Sequence, residues 1–344
     1  MDEMTLAALL GLAGGCILGL AARLGQFCTF GAIESAYMGR DQRRMRLWGI
    51  VLGVAILSIY TLDAMGHMDV SRTLYQSVQW NPLASILGGL VFGYGMGLAG
   101  NCGFGSLARL GGGDLRAFVV VLMIAISGYF MLSGPLASLR VSIFPMTPAE
   151  GPQGFAQLGH SLLGISPLIV AVIIAIALIV WALAHTPLRD EPVMMFWGVM
   201  AGLSVAGAFW GTTYLNETSF EQVAIQGHTF TAPLGATLLY MMTSSSGGLG
   251  FPIGSVAGVL LGAFIGSMIK GHFRWEPCDD PRELGRQIFG AILMGFGGVV
   301  ALGCSVGQGV SAFSTLAFSG PVTLLAIVLG CIVAIRQLLA GFEP

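Results

Sequence analysis

Nine apolar runs of about 17 to 20 residues punctuate this sequence, near 4–22, 47–65, 83–100, 116–134, 166–184, 193–210, 252–269, 286–302 and 321–340. As helix, each is long enough to cross about 30 Å of hydrocarbon, so the pattern predicts nine transmembrane spans. Four stretches between the runs read differently. Cys28–Met38, Cys102–Leu110, Thr231–Leu249 and Cys304–Phe318 are moderately apolar, too short to span and bounded by glycine. They suit re-entrant half-helices, because irregular backbone at membrane depth survives only inside protein or beside water.

Composition fixes the class. Of the 344 residues, 55% are hydrophobic and 9% charged, and the mean hydropathy is +0.82. These values exclude an ordinary soluble domain and predict an all-α polytopic membrane protein, one integral membrane domain over residues 1–344. The start, Met1-Asp2-Glu3, lacks the basic region of a signal peptide, so the first run is expected to be a retained helix. Nothing points to nucleic acid as a partner; the lipid bilayer is the surrounding.

Charge then orients the chain. Thirteen of the fifteen basic residues fall at one set of ends, crowding the loops around Arg43, Arg109, Arg189 and Arg282, and only Arg72 and Arg140 lie opposite. By the positive-inside rule the crowded side is cytoplasmic, which places the N-terminus outside and the C-terminus inside.

Three cysteines share a frame, with a glycine nine residues before and another three after: Gly19/Cys28/Gly31, Gly93/Cys102/Gly105 and Gly295/Cys304/Gly307. Aligning Cys102 on Cys304 also superposes Gly95 on Gly297, Tyr94 on Phe296 and Ala99 on Ala301. In the deduced topology these related segments run in opposite directions, which describes an inverted-topology repeat. Repeat one would cover about 1–140, a linker span about 160–190, and repeat two about 193–344. Spans one to four would match spans six to nine, with Gly211 standing where the first span has Cys28. One glycine of each frame is expected to permit close helix contact. The other is expected to adopt φ values that a β-carbon forbids, and the later glycines, Gly31, Gly105 and Gly307, are expected to support the thiols.

Cys16 and Cys331, within spans, read as small buried hydrophobes. Cys278, in Glu276-Pro277-Cys278-Asp279-Asp280, reads as an exposed bystander. The framed thiols sit where half-helix breaks at a repeat interface bind substrate in transporters. Without a Cys-x-x-Cys pair, no metal site or cofactor is indicated, and a pathway lined by single thiols fits better than redox relay.

The segments Gly25-Gln26-Phe27-Cys28-Thr29-Phe30-Gly31, Gly97-Leu98-Ala99-Gly100-Asn101-Cys102-Gly103 and Gly303-Cys304-Ser305-Val306-Gly307-Gln308-Gly309 resemble the cysteine motifs of the YeeE/YedE family of sulfur transporters. The resemblance implies nine spans with re-entrant loops and import of thiosulfate along a narrow path. Cys28 would line its inner part, Cys102 the central constriction and Cys304 the outer part. It also implies a cytoplasmic TusA-like sulfur-carrier protein as partner.

The chemistry agrees with that expectation. Thiosulfate is a dianion with a soft terminal sulfur, neutral thiols donate weakly to it, and weak successive contacts favour conduction. Half-helix N-termini would offset the buried charge. Glu34 is expected to face the cytoplasm or be hydrogen-bonded. Two readings stay open beside thiosulfate: another sulfur or selenium anion, and a membrane thiol oxidoreductase using Cys102 and Cys304.

Overall fold

The structure, a computed structural model, describes residues 3–219, 223–244, 248–277 and 280–341. Cys278 lies outside the described residues.

A helix forms at every predicted span: α1 (Glu3–Leu24), α3 (Arg43–Ala64), α5 (Pro82–Ala99), α7 (Leu115–Leu132), α10 (Pro167–Leu183), α12 (Pro192–Thr218), α14 (Phe251–Ile269), α15 (Pro281–Val300) and α16 (Ser319–Ala340). Among the described residues, seven helices are long and apolar enough to cross a membrane. The other two positions hold α10, apolar but of 17 residues, and α15, which carries Arg282, Glu283 and Arg286 in its first two turns. Starts are set by familiar devices: Asn81 caps α5 and Asp114 caps α7 through their side chains, and proline stands in the first turn of α5, α10, α12, α14 and α15.

The four short stretches are also helical. They form α2 (Thr29–Tyr37), α6 (Gly103–Gly111), α13 (Ala232–Thr243) and a segment after Cys304 whose centre, Gly307–Ala312, winds as π-helix. Small helices α4 (Leu74–Ser77), α8 (Ala137–Ile143), α9 (Phe155–Leu163) and α11 (Thr186–Arg189) complete the chain. Gly211 does not mark the place equivalent to Cys28. It lies well inside α12, where a β-carbon would strike the Leu10 side chain, and the half-helix of the second half begins only after Thr231. Because α12 runs about two turns past its apolar core and residues 223–230 are irregular before α13 begins, the equivalent break is displaced along the chain.

Packing repeats under exchange of the first four spans with the last four. The contact of α1 with α14 is matched by α12 with α3, and that of α5 with α16 by α15 with α7; α1 with α12 and α5 with α15 map onto themselves. The half-helices obey the same exchange, since α6 rests on α14 as the Cys304 segment rests on α3, and α13 rests on α7 as α2 rests on α16.

Glycine makes these contacts close. Gly11, Gly15 and Gly19 on α1 face Phe251, Ser255 and Val259, while Gly254, Gly258 and Gly262 on α14 face Ala8, Leu12 and Cys16. At each, a β-carbon would collide with a backbone carbonyl of the partner helix, so the seam closes only with bare backbone. Gly93 meets Ile327 O and Gly295 meets the Ser127 side chain in the same manner, as the frame predicted. Ion pairs stay within each predicted set of ends: Arg43 with Glu191 and Arg116 with Glu276 at one, Arg72 with Glu217 at the other.

Candidate functional site

Each framed cysteine closes a break and opens a half-helix. Two residues before it the chain passes through the left-handed region, at Gln26 (φ 56°), Gly100 (φ 75°) and Leu302 (φ 58°). Cys28 and Cys102 are then extended and occupy the N-cap positions of α2 and α6. An N-cap is ordinarily Ser, Thr, Asp or Asn, whose oxygen accepts an amide of the first turn. Here sulfur accepts it: Gly31 N–H donates to Cys28 Sγ at 3.5 Å, Gly105 to Cys102 Sγ at 3.3 Å and Gly307 to Cys304 Sγ at 3.4 Å. Every one of the three sulfurs therefore sits at the positive end of a helical segment.

The expectation of a left-handed φ at one glycine of each frame needs correction, because neither the earlier glycines nor Gly31, Gly105 and Gly307 have one. The reversal is made two residues before the cysteine, and only Gly100 uses glycine for it. What the later glycines supply is an amide beside a bare surface. A β-carbon would lie 2.7 Å from Arg44 Nη1 at Gly31, 2.8 Å from Asn101 Oδ1 at Gly105 and 2.5 Å from Thr229 Oγ1 at Gly307. Their missing side chains leave room for Arg44, Asn101 and Thr229 beside the caps.

The fold brings the three breaks together. Cys28 Sγ donates to Asn101 Oδ1 at 3.7 Å, which joins the first break to the residue before Cys102. Thr29 Oγ1 donates to Ser305 Oγ at 3.0 Å, joining the first break to the third. Cys304 Sγ also accepts the Phe230 N–H at 3.2 Å, with Thr229 Oγ1 at 3.7 Å, so the extended chain before α13 completes its surroundings. Three buried rings run through the junction, Phe27 to Phe104 at 5.9 Å and Phe104 to Phe230 at 5.2 Å between centroids. All five described cysteines are free; Cys331 is buried, and Cys16 is partly so.

Two cavities lie on either side. One of about 290 Å³ is lined by Cys28, Gln26, Arg23, Arg44, Arg109 and Glu34, near the start of α3. Glu34 is exposed within it, among three arginines. The other, of about 270 Å³, lies past the far end of α3, where Tyr75, Arg140, Thr229, Thr231, Leu302 and Gly303 line it. Cys102 and Cys304 are 0% and 1% exposed and line neither cavity; Thr229 separates Cys304 from the second.

Sequence reasoning missed the aromatic row, the Phe230 donor and the Thr229 contact at Cys304, and the burial of Arg140. Asn101, a lone amide at the end of an apolar run, was a signal that could have been used.

The family described as "Sulphur transport" matches residues 24–333. A protein named thiosulfate transporter TsuA from Spirochaeta thermophila is 26% identical over 329 residues, covering 93% of this chain and 96% of that one. A protein of the same name from Escherichia coli K12 is 24% identical over 340 residues, covering 93% and 91%. With the family matched along most of its length, the chain belongs to the sulphur transport (YeeE/YedE) family and is a membrane transporter, not an enzyme.

Proposed function

We propose that this protein takes up thiosulfate along a path that passes Cys304, Cys102 and Cys28 in turn. The observation that carries the reading is the shared cap geometry: three thiols at three half-helix N-termini, tied together at one junction between two cavities. Each sulfur accepts an amide hydrogen, so its own S–H can serve as a donor; that of Cys28 is held by Asn101 Oδ1 at 3.7 Å, a long, weak contact that a soft anionic sulfur would replace. At Cys304 the Phe230 and Gly307 N–H groups both donate to the sulfur, with Thr229 Oγ1 beside it at 3.7 Å, so a passing anion would meet weak polar contacts that do not hold it. The names of the two relatives support thiosulfate over other sulfur or selenium anions.

The residue halves 1–140 and 193–344 serve in this reading as the two inverted repeats, with the span near 160–190 as linker, and the junction lies on their interface. The arginine-rich cavity at Cys28 faces the cytoplasm of a bacterium and the Arg140 cavity faces outward, with the N-terminus outside and the C-terminus inside the inner membrane. An inside-negative potential opposes a dianion by about 4.6 kcal/mol at 100 mV. Consumption on the cytoplasmic side would draw it through, and a TusA-like sulfur carrier docked near Arg23, Arg44 and Arg109 fits that role. Crosslinking of such a carrier to the wild type, absent when the three arginines are replaced by glutamine, tests the docking.

Uptake of labelled thiosulfate into proteoliposomes tests the path. Wild-type protein should show uptake that unlabelled thiosulfate suppresses more than sulfate, sulfite or selenium anions do. Cys102→Ala should abolish it, and full uptake by that variant would sink the thiol-lined path.

A further inference from the structure

Arg140 stands out among the charged residues because it is 8% exposed and has no acidic partner among the described residues. Among the described residues its side chain makes one polar contact, a weak one, Nη1 donating to Met146 Sδ at 3.8 Å, and its buried Nε has no partner there. A guanidinium keeps its charge at any accessible pH, and burying one unpaired is costly. It lines the 270 Å³ cavity, as does Thr231 Oγ1, a second buried group without a partner. No carboxylate lines that cavity.

Its wall also contains Thr231, Ala232 and Pro233, the N-cap and first two residues of the 12-residue helix α13, which has no side-chain cap; Pro233 carries no N–H, so Ala232 supplies the first-turn amide in this wall. A helix N-terminus with free amides favours an anion, and a planar guanidinium matches two oxygens of an XO₃ group. Two independent anion-seeking features thus line one cavity, with Thr229 leading on to Cys304.

We propose that Arg140 and the N-terminus of α13 form an oxyanion site that takes the SO₃ end of a sulfur oxyanion one step before the thiols. The inference rests on the transport reading and deepens it: oxygen atoms are recognised at Arg140 and the soft sulfur at Cys304. Because sulfate presents the same oxygens, it should compete at this site without passing the thiols.

Concentration-dependent thiosulfate uptake by wild type and Arg140→Gln tests it. The half-saturating concentration should rise about tenfold or more in Arg140→Gln, the size expected for losing a hydrogen-bonded charge, with the maximal rate changed far less. Arg140→Lys should fall between, and inhibition by sulfate should weaken in parallel. A half-saturating concentration in Arg140→Gln within about twofold of wild type would overturn the proposal. If Arg140→Gln fails to reach the membrane, Ala236→Glu decides, since it sets a carboxylate in the same cavity. A raised half-saturating concentration supports the site and an unchanged one rejects it. Wild-type protein without thiosulfate flux would overturn the transport reading instead. Thermal stabilisation of purified protein by thiosulfate, present in wild type and lost in Arg140→Gln, then supports the site on its own, and its absence from wild type rejects it.

Discussion

Thr29 and Ser305, the residues that follow Cys28 and Cys304, are joined side chain to side chain by a buried hydrogen bond of 3.0 Å. They lie 276 positions apart in sequence, yet each is the first residue after a capping thiol. The bond therefore sets the starts of two half-helices against each other. It fixes the spacing of the thiols through the caps and not through any contact between the sulfurs themselves.

Thr29→Val keeps the shape of that residue and removes its hydroxyl. Ser305 is fully buried, and losing the donor leaves its oxygen unpaired at a cost of about 1–3 kcal/mol. Thermal unfolding in detergent should show that loss, and thiosulfate uptake should fall with it. Unchanged unfolding and unchanged uptake together would mean the bond does not hold the junction.

The thiols should differ in reactivity because only Cys28 lines an open cavity. In a Cys278→Ser background, a small water-soluble thiol reagent should modify Cys28 and leave Cys102 and Cys304 intact in folded protein, as peptide mass spectrometry would show. Thiosulfate should slow the modification. Rapid labelling of Cys102 would show that the aromatic row does not seal the junction.

How much of this was legible in the sequence depends on range. The spans were readable because an apolar run long enough to cross hydrocarbon has few alternatives, and observed ends fall within a few residues of the predicted ones at most spans. Residue α12 Thr218 lies eight positions past the predicted end at 210, because Thr212, Thr213 and Asn216 find partners that allow a polar last section. The cysteine frame was legible as a repeat but its mechanics were not. Spacing shows which residue is glycine and cannot show whether the glycine serves φ, packing or a bare amide. Arg140 counted only as one external charge, since burial of an arginine on a short helix between spans, here α8, is set by distant segments of the chain.

The left-handed turn before each thiol gives a clean conformational test. A β-carbon at Gly100 would have no atom within 4 Å, so Gly100→Ala probes φ alone. It should cost about 1–2 kcal/mol, the strain of a left-handed residue that carries a side chain. Leu302→Gly should relieve comparable strain at φ 58°, offset in part by lost packing and added unfolded-state freedom. Equilibrium unfolding of both variants measures the two signs, and a neutral Gly100→Ala would mean the turn is not under conformational control.

The glycine seam between α1 and α14 should respond to the place of a methyl group and not to its number. At Gly258 a β-carbon would be driven into the Leu12 carbonyl, a backbone atom that cannot rotate away, so Gly258→Ala must push two spans apart along a contact that Gly254 and Gly262 share. Overpacking of this type costs about 1–3 kcal/mol or more, and here it also moves the Cys28 break at the end of α1. Gly207, inside α12, has nothing within 4 Å of the same position. Gly207→Ala should therefore be neutral or stabilise by up to about 1 kcal/mol through helix propensity. Thermal unfolding of the detergent-solubilised variants, followed with thiosulfate uptake, should separate them in opposite directions. Equal behaviour of the two would remove close backbone approach as the reason for glycine in the seam, and with it the account of how α1 presents Cys28 to the junction.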